Sequence, residues 1–278
     1  MSRVDRFLFA PVDPRAAARF RIAFAAALTL LFWPEGRALS ASLGGVPGAA
    51  ELWSGVFLTP AWWAACVAAI AAWGAGVGGR ATGVCVLLLL LPLAFLHGAW
   101  QSRQILLTCL LAFSLVRSDP RQAVGRAAPP DPGGAGPIWP IRLIQLQLSI
   151  TYLVNAWAKT TPAYLSGGVL MALAELPNFR VDLSDGFLHL GAVALPVWWC
   201  AVGTVAVEYA LGVLWWIPRL RAAAAALGVG FHLSLQLVIE IGWLDWACLF
   251  LYLAFLLPFD ASARGGVSSI SPSIPARR

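Results

Sequence analysis

The chain has 278 residues, 60% of them hydrophobic and only 12% charged, with a mean hydropathy of +0.77 and a formal net charge of +6. A soluble domain is nearer half apolar and a quarter charged, so this composition excludes two soluble domains and predicts an all-α, polytopic transmembrane helix bundle. The arginines cap apolar segments and form no basic patch with spaced aromatics, so the charge speaks for topology and anionic lipid, not for nucleic acid.

In chain order, the first apolar run, Ile22–Trp33, follows five arginines and precedes Pro34-Glu35-Gly36-Arg37. It reads as a span; Ala38-Leu39-Ser40-Ala41 only faintly resembles a signal-peptide cleavage site. A spanning helix needs about 20 mostly apolar residues, fewer with snorkelling ends. On that measure eight spans are predicted, at Arg19–Trp33, Pro60–Val77, Ala81–Gly98, Gln104–Val116, Ile138–Ala158, Gly191–Trp216, Ala222–Ile241 and Trp243–Leu257. With the N-terminus inside, cytoplasmic segments carry 15 Lys/Arg and outer segments carry Arg37, Arg103, Lys159 and Arg180, a bias of 15 to 4 that satisfies the positive-inside rule. The expected protein is therefore a multi-pass cell-membrane protein with both termini cytoplasmic. Residues 1–260 are expected to form the membrane domain and residues 261–278 a disordered cytoplasmic tail.

Between spans, Ala127–Pro137 reads as a flexible Pro/Gly loop, and Thr160–Phe187 as an outer segment in which Val169–Leu176 forms a short helix. Most of the 14 tryptophans fall near span ends, where the membrane–water boundary favours them. The five cysteines form no Cys-x-x-Cys pair, and His97, His189 and His232 lack metal-ligand spacing, so no metal is expected. No Gly-rich phosphate loop is present.

The chemistry concentrates on the fifth span. Gln145, Ser149, Tyr152, Asn155 and Lys159 follow one another by three or four residues and make one polar stripe on a helix. Lipid has no use for such a stripe, so it should face a cavity or neighbouring helices. Lys159, its outermost member, is the one lysine among 19 basic side chains. A lysine can lose its proton when desolvated and a guanidinium effectively cannot, which makes Lys159 the candidate base; the alternative is a snorkelling lysine at a helix end. His232, Gln236 and Glu240 form a second row on the seventh span, with Asp245 just beyond. His97, Arg103 and Gln104 cluster at the outer junction of the third and fourth spans. Interhelical hydrogen bonding explains His232 and Gln236 equally well. Glu208, placed toward the cytoplasmic half of the sixth span, needs a partner, and Arg19 or Arg21 is the expected one.

Gln147-Leu148-Ser149-Ile150-Thr151-Tyr152, then Lys159, Tyr164 and Gly167, resembles the core motif of the HTTM family, which includes the vitamin K-dependent γ-glutamyl carboxylase. That motif runs Gln-Leu-x-Ile-x-Tyr, lysine, tryptophan, glycine; the spacing is kept here, and Tyr164 stands for the tryptophan. Phe231-His232-Leu233, followed after seven residues by Ile241-Gly242, is similar to a carboxylase segment, as is the opening Phe9-Ala10-Pro11-Val12-Asp13-Pro14 with Phe20-Arg21. The resemblance implies an integral membrane enzyme in which Lys159 acts as base on a reduced, vitamin K-type quinone or another lipid-like substrate at the extracytoplasmic face. Tyr152, Asn155, Tyr164, His97, Gln104, His232, Gln236 and Glu240 would bind that substrate. Two departures stand out. Gln104 falls about where the carboxylase has a histidine, and a glutamine is neither acid nor base at ordinary pH. The carboxylase's large extramembrane domain has no counterpart before the chain ends. The alternatives are an accessory module binding a membrane or exported peptide partner and, third, a transporter, against which stands the lack of any inverted repeat. Membrane lipids and a small lipophilic substrate are the other expected partners.

Overall fold

A computed structural model describes residues 2–42, 60–95, 100–116, 136–176, 179–239 and 244–260. His97, Glu240, most of the Ala127–Pro137 loop and the 261–278 tail lie outside the described residues. The chain is mostly helical, as its composition requires.

A short helix α1 (Arg3–Phe9) opens the chain, closed by a capping box between Ser2 and Asp5. The long α2 (Pro14–Ser42) extends beyond both ends of the expected first span. Then follow α3 (Pro60–Ala75), α4 (Gly79–Phe95) and α5 (Trp100–Ser114). Helix α6 (Trp139–Lys159) starts with Pro140 in its first turn, where a missing N–H costs nothing. Pro162, just past its end, cannot continue the helix. Two short helices follow, α7 (Pro162–Leu165) and α8 (Gly168–Ala174), where the sequence predicts one, over Val169–Leu176.

The next segment departs from expectation. Residues at the start of the predicted sixth span form an antiparallel hairpin, β1 (Phe187–Leu190) with β2 (Val193–Pro196), turning at Gly191 with φ 64°. Helix α9 (Val197–Leu214) therefore starts six residues later than Gly191. The apolar run before it is extended because Gly191 and Pro196 punctuate it. After a 3-10 turn comes α10 (Arg221–Val238), then α11 (Leu244–Leu251) and α12 (Leu253–Leu256), the last two split at Tyr252. Among the described residues two stretches, Val197–Leu214 and Pro218–Val238, are long and apolar enough to cross a membrane, and shorter apolar helices accompany them.

Three chain segments meet at one end of the bundle. Val12 N–H donates to the Gly136 carbonyl at 2.9 Å, Ile138 N–H to Ala10 at 2.9 Å, and Asp13 N–H to Phe259 at 2.6 Å. Arginines seal the same end: Arg142 Nε donates to the Phe7 carbonyl, and Arg221 Nη1 to Phe255. The main core lies above this seam. Phe20, Phe24, Trp73, Phe113 and Phe250 interlock there, with ring centroids 4.9–6.5 Å apart. At the other end sit the hairpin, α7 and α8, and Arg180 N–H donates to the Val238 carbonyl at 2.9 Å.

Candidate functional site

Four members of the polar stripe of α6 meet protein, each at a different place. Gln145 Nε2 donates to the Ala254 carbonyl of α12 at 2.6 Å, and Trp216 Nε1 donates to Ser149 Oγ at 2.9 Å. Tyr152 reaches α10 and the break between α11 and α12. Lys159 reaches α9. Gln145, Ser149 and Tyr152 are buried, and Asn155 is half-buried on the same helix.

Lys159 Nζ lies 2.5 Å from Oε1 of Glu208. The glutamate side chain is 5% exposed and the lysine side chain 32%. The sequence expectation for Glu208 was an arginine of α2, and the structure corrects it. Helix α2 packs on α3 and α11, whereas α9 packs on α6, and Arg21 Nε donates to the Gly74 carbonyl at 3.3 Å. A glycine makes the α6–α9 approach possible. A Cβ on Gly212 would stand 2.5 Å from Leu153 Cδ2 and 3.4 Å from the Ser149 carbonyl. Gly212 lies one turn beyond Glu208 on α9, so the close approach there sets the register that brings the carboxylate to Lys159.

Helices α7 and α8 fold back over this pair. Tyr164 is buried against Ala201 and Val205 of α9, and its ring centroid lies 6.0 Å from Lys159 Nζ. Thr161 Oγ1 caps α7 by accepting from the Tyr164 N–H at 3.3 Å. Gly167 closes the fold-back with φ 86°, and a Cβ there would meet Val197 Cγ1 at 2.9 Å. Only glycine suits both the left-handed backbone and the contact.

The second network is buried except for the half-buried Gln236. His232 Nδ1 is 2.7 Å from Asp245 Oδ1, and its Nε2 is 2.6 Å from Tyr152 Oη. Tyr152 Oη is 2.5 Å from Tyr252 Oη, and Gln236 Nε2 donates to Asp245 Oδ2 at 2.9 Å. A carboxylate only accepts, so Nδ1 of His232 donates to Asp245. With a neutral imidazole Nε2 then accepts from Tyr152, which accepts from Tyr252. The hydrogen bonds thus run in one direction from Tyr252 to Asp245. Gly228 makes room, since a Cβ there would strike Tyr252 Oη at 2.3 Å. Chemically this is an oriented acid–base chain, and Lys159–Glu208 is a paired acid and base two turns along the same helix.

The HTTM domain family model matches residues 56–259, well over half of the chain. The chain belongs to the HTTM family. No curated protein and no solved structure matches it. The matched HTTM segment contains α6, α9, α10 and α11, and so both networks.

Within this HTTM core the structure brings Tyr152, His232 and Gln236 into one network and Lys159 and Tyr164 into the other. Gln104 is exposed on α5 and joins neither. Sequence reasoning singled out Glu208 and Asp245 without their partners, and it did not single out Tyr252. A usable signal existed for Glu208: the only lysine, and the one carboxylate inside the predicted sixth span, each buried at a cost that the other offsets. Tyr252 carried none, being one aromatic in an apolar run.

Proposed function

We propose that this HTTM protein is an integral membrane enzyme in which Lys159 removes a proton from a hydroxyl of a quinone-like or other lipophilic substrate at the extracytoplasmic face. The observation that carries the reading is the contact between Lys159 and the nearly buried Glu208 beneath Tyr164. An ion pair out of water recovers its desolvation cost only with good geometry, so a chain that keeps its single lysine there has a use for it. A base must be able to exist without its proton, which a lysine amine can and an arginine guanidinium effectively cannot. A reduced quinone of the vitamin K type is the proposed co-substrate, and Tyr152, His232 and Gln236 orient the chemistry from the adjoining network. Membership of a family that resembles the carboxylase core supports this assignment.

The chain is read as eight spans within residues 1–260, in the cell membrane, with both termini cytoplasmic. The meeting of Ala10–Asp13, Gly136–Ile138 and Phe259–Asp260 supports that topology, because an even number of spans separates these segments. Cysteine-accessibility labelling at Ser2 and Asp185 tests it: opposite sides are expected, and the same side for both would overturn the span count.

Native mass spectrometry with lipid extraction, on detergent-purified wild type, Lys159→Ala and Lys159→Arg, tests the enzyme reading. A quinone-sized or lipid ligand retained by wild type and lost from Lys159→Ala is the expected result. A wild type that holds no ligand and co-purifies with a protein instead would replace the enzyme with a partner-binding accessory module. Full biological activity in Lys159→Arg would remove the base role.

A further inference from the structure

We propose that Glu208 stores the proton taken at the Lys159 site: its second carboxylate oxygen, Oε2, accepts the hydrogen of a substrate hydroxyl, and the resulting anion is held by the Lys159 ammonium. This inference rests on the reading of Lys159 as the base. It starts from an orphaned atom. Oε1 of Glu208 is engaged by Lys159, whereas Oε2 is buried and has no hydrogen-bond partner among the described residues. Native structures rarely leave a buried acceptor unpaired, and where they do it calls for a ligand, a water or a catalytic use. Two neighbouring hydroxyls are committed elsewhere. Thr204, one turn earlier on α9, hydrogen-bonds Tyr164, and the Tyr209 hydroxyl pairs with Thr160 Oγ1 at 3.2 Å. Among the described residues no donor reaches Oε2, which leaves it open to a ligand or a water. Lys159 is one-third exposed, so the pair meets its surroundings on the lysine side.

Proton bookkeeping leads to the same residue. An ammonium cannot take a second proton. With the pair ionised, the substrate O–H bond breaks, its electron pair stays on the substrate oxygen, and the proton bonds to Glu208. If Lys159 first passes its proton to Glu208, the free amine takes the substrate proton and the end state is identical. Either route leaves a neutral Glu208 acid beside an ammonium–oxyanion pair, with charge conserved and no redox partner required. Lys159 therefore serves as a base only because Glu208 holds the additional proton. The oxyanion meets an oriented cation in a water-poor site, where such a contact is strongest.

The test uses full-length protein in detergent and a 4-nitrophenol carrying an alkyl chain as the probe, buffered well below the pH at which the probe ionises in empty micelles. Visible absorption reports the phenolate, and infrared difference spectra report the C=O stretch of a protonated carboxyl. Wild type is expected to raise both signals together, in equal molar amounts. Glu208→Gln loses the carboxyl stretch; Glu208→Asp shifts it and assigns it independently should the glutamine variant fail to fold. Phenolate formed by wild type without a carboxyl stretch would overturn the inference and leave Lys159 as the sole base. Absence of phenolate with wild type would overturn the base reading and the inference together.

Discussion

Lys159 and Glu208 lie 49 positions apart in the chain and 2.5 Å apart in space, at the end of α6 and midway along α9. That contact places the lysine beside the middle of a neighbouring helix rather than at a free helix end. The lysine side chain is one-third exposed, and its ammonium contacts a carboxylate whose side chain is 5% exposed.

Carbodiimide treatment should join the two side chains directly. The reagent activates a carboxyl, the adjacent amine attacks, and an amide forms with loss of one water. Peptide mass mapping of wild type is expected to find a Lys159–Glu208 cross-link lighter than the sum of its peptides by that water. Lys159→Arg should lack it. A wild-type map with Glu208 labelled but no link to Lys159 would mean the pair does not persist in solution.

Removing one member of the pair should destabilise the fold. Breaking a buried ion pair costs about 3–5 kcal/mol. Lys159→Ala is expected near the lower end, because a third of the lysine is exposed and screened. The melting temperature in detergent, read by tryptophan fluorescence, should fall for Lys159→Ala and recover when Glu208→Gln is added. No recovery in the double variant would mean the loss does not come from the stranded carboxylate.

Gly212→Ala tests the packing that sets the register. A methyl placed 2.5 Å from Leu153 Cδ2 forces the Leu153 side chain, or the helix that carries it, to shift. Overpacking of this kind costs about 1–3 kcal/mol. Lower stability and a weaker Lys159–Glu208 cross-link are expected together. Ala at Gly203, whose Cβ position is open, should leave both unchanged. Equal behaviour of the two variants would show that helix propensity, not contact, governs them.

Tyr152→Phe keeps the ring and deletes the oxygen that bridges His232 and Tyr252. Two buried groups then lack a partner, at about 1–3 kcal/mol for each one stranded. The expected signature is a drop in stability that falls by about half in a Tyr252→Phe background, since the phenylalanine pair leaves only His232 unmatched. An additive double variant would argue against a single connected network.

The hairpin offers a pH prediction. Asp185 accepts from His189 Nε2 at 2.6 Å and from the Phe187 N–H at 2.9 Å, in that order of influence, and both hold its carboxyl below the usual carboxylate range. A folded-state value lower than the unfolded one means the contribution to stability is fully present above the unfolded value of about 4 and is lost as pH falls through the lower, folded value. Hydrogen exchange at Phe187, corrected for its intrinsic rate, should therefore accelerate only below about pH 4, and Asp185→Asn should abolish that pH dependence. Acceleration that persists in the asparagine variant would assign the effect to another group.

Much of this protein is legible in its residues alone. The density of apolar side chains dictates helices, because a long apolar backbone must satisfy its own hydrogen bonds. The three-and-four spacing from Gln145 to Lys159 dictates a stripe that faces protein, and the structure fills that stripe with α9, α10, α11 and α12. Local punctuation misled at Gly191–Pro196, where an apolar run reads as helix but turn residues make it a hairpin. Partner choice was beyond reach. Whether Glu208 meets Arg21 or Lys159 depends on which helices touch, and His232 and Tyr252 converge on Tyr152, with Asp245 behind His232, only once the helices are packed. Sequence spacing orders side chains along one helix. The pairing between helices is decided by how closely their backbones approach, and here two glycines without side chains, Gly212 and Gly228, set that distance.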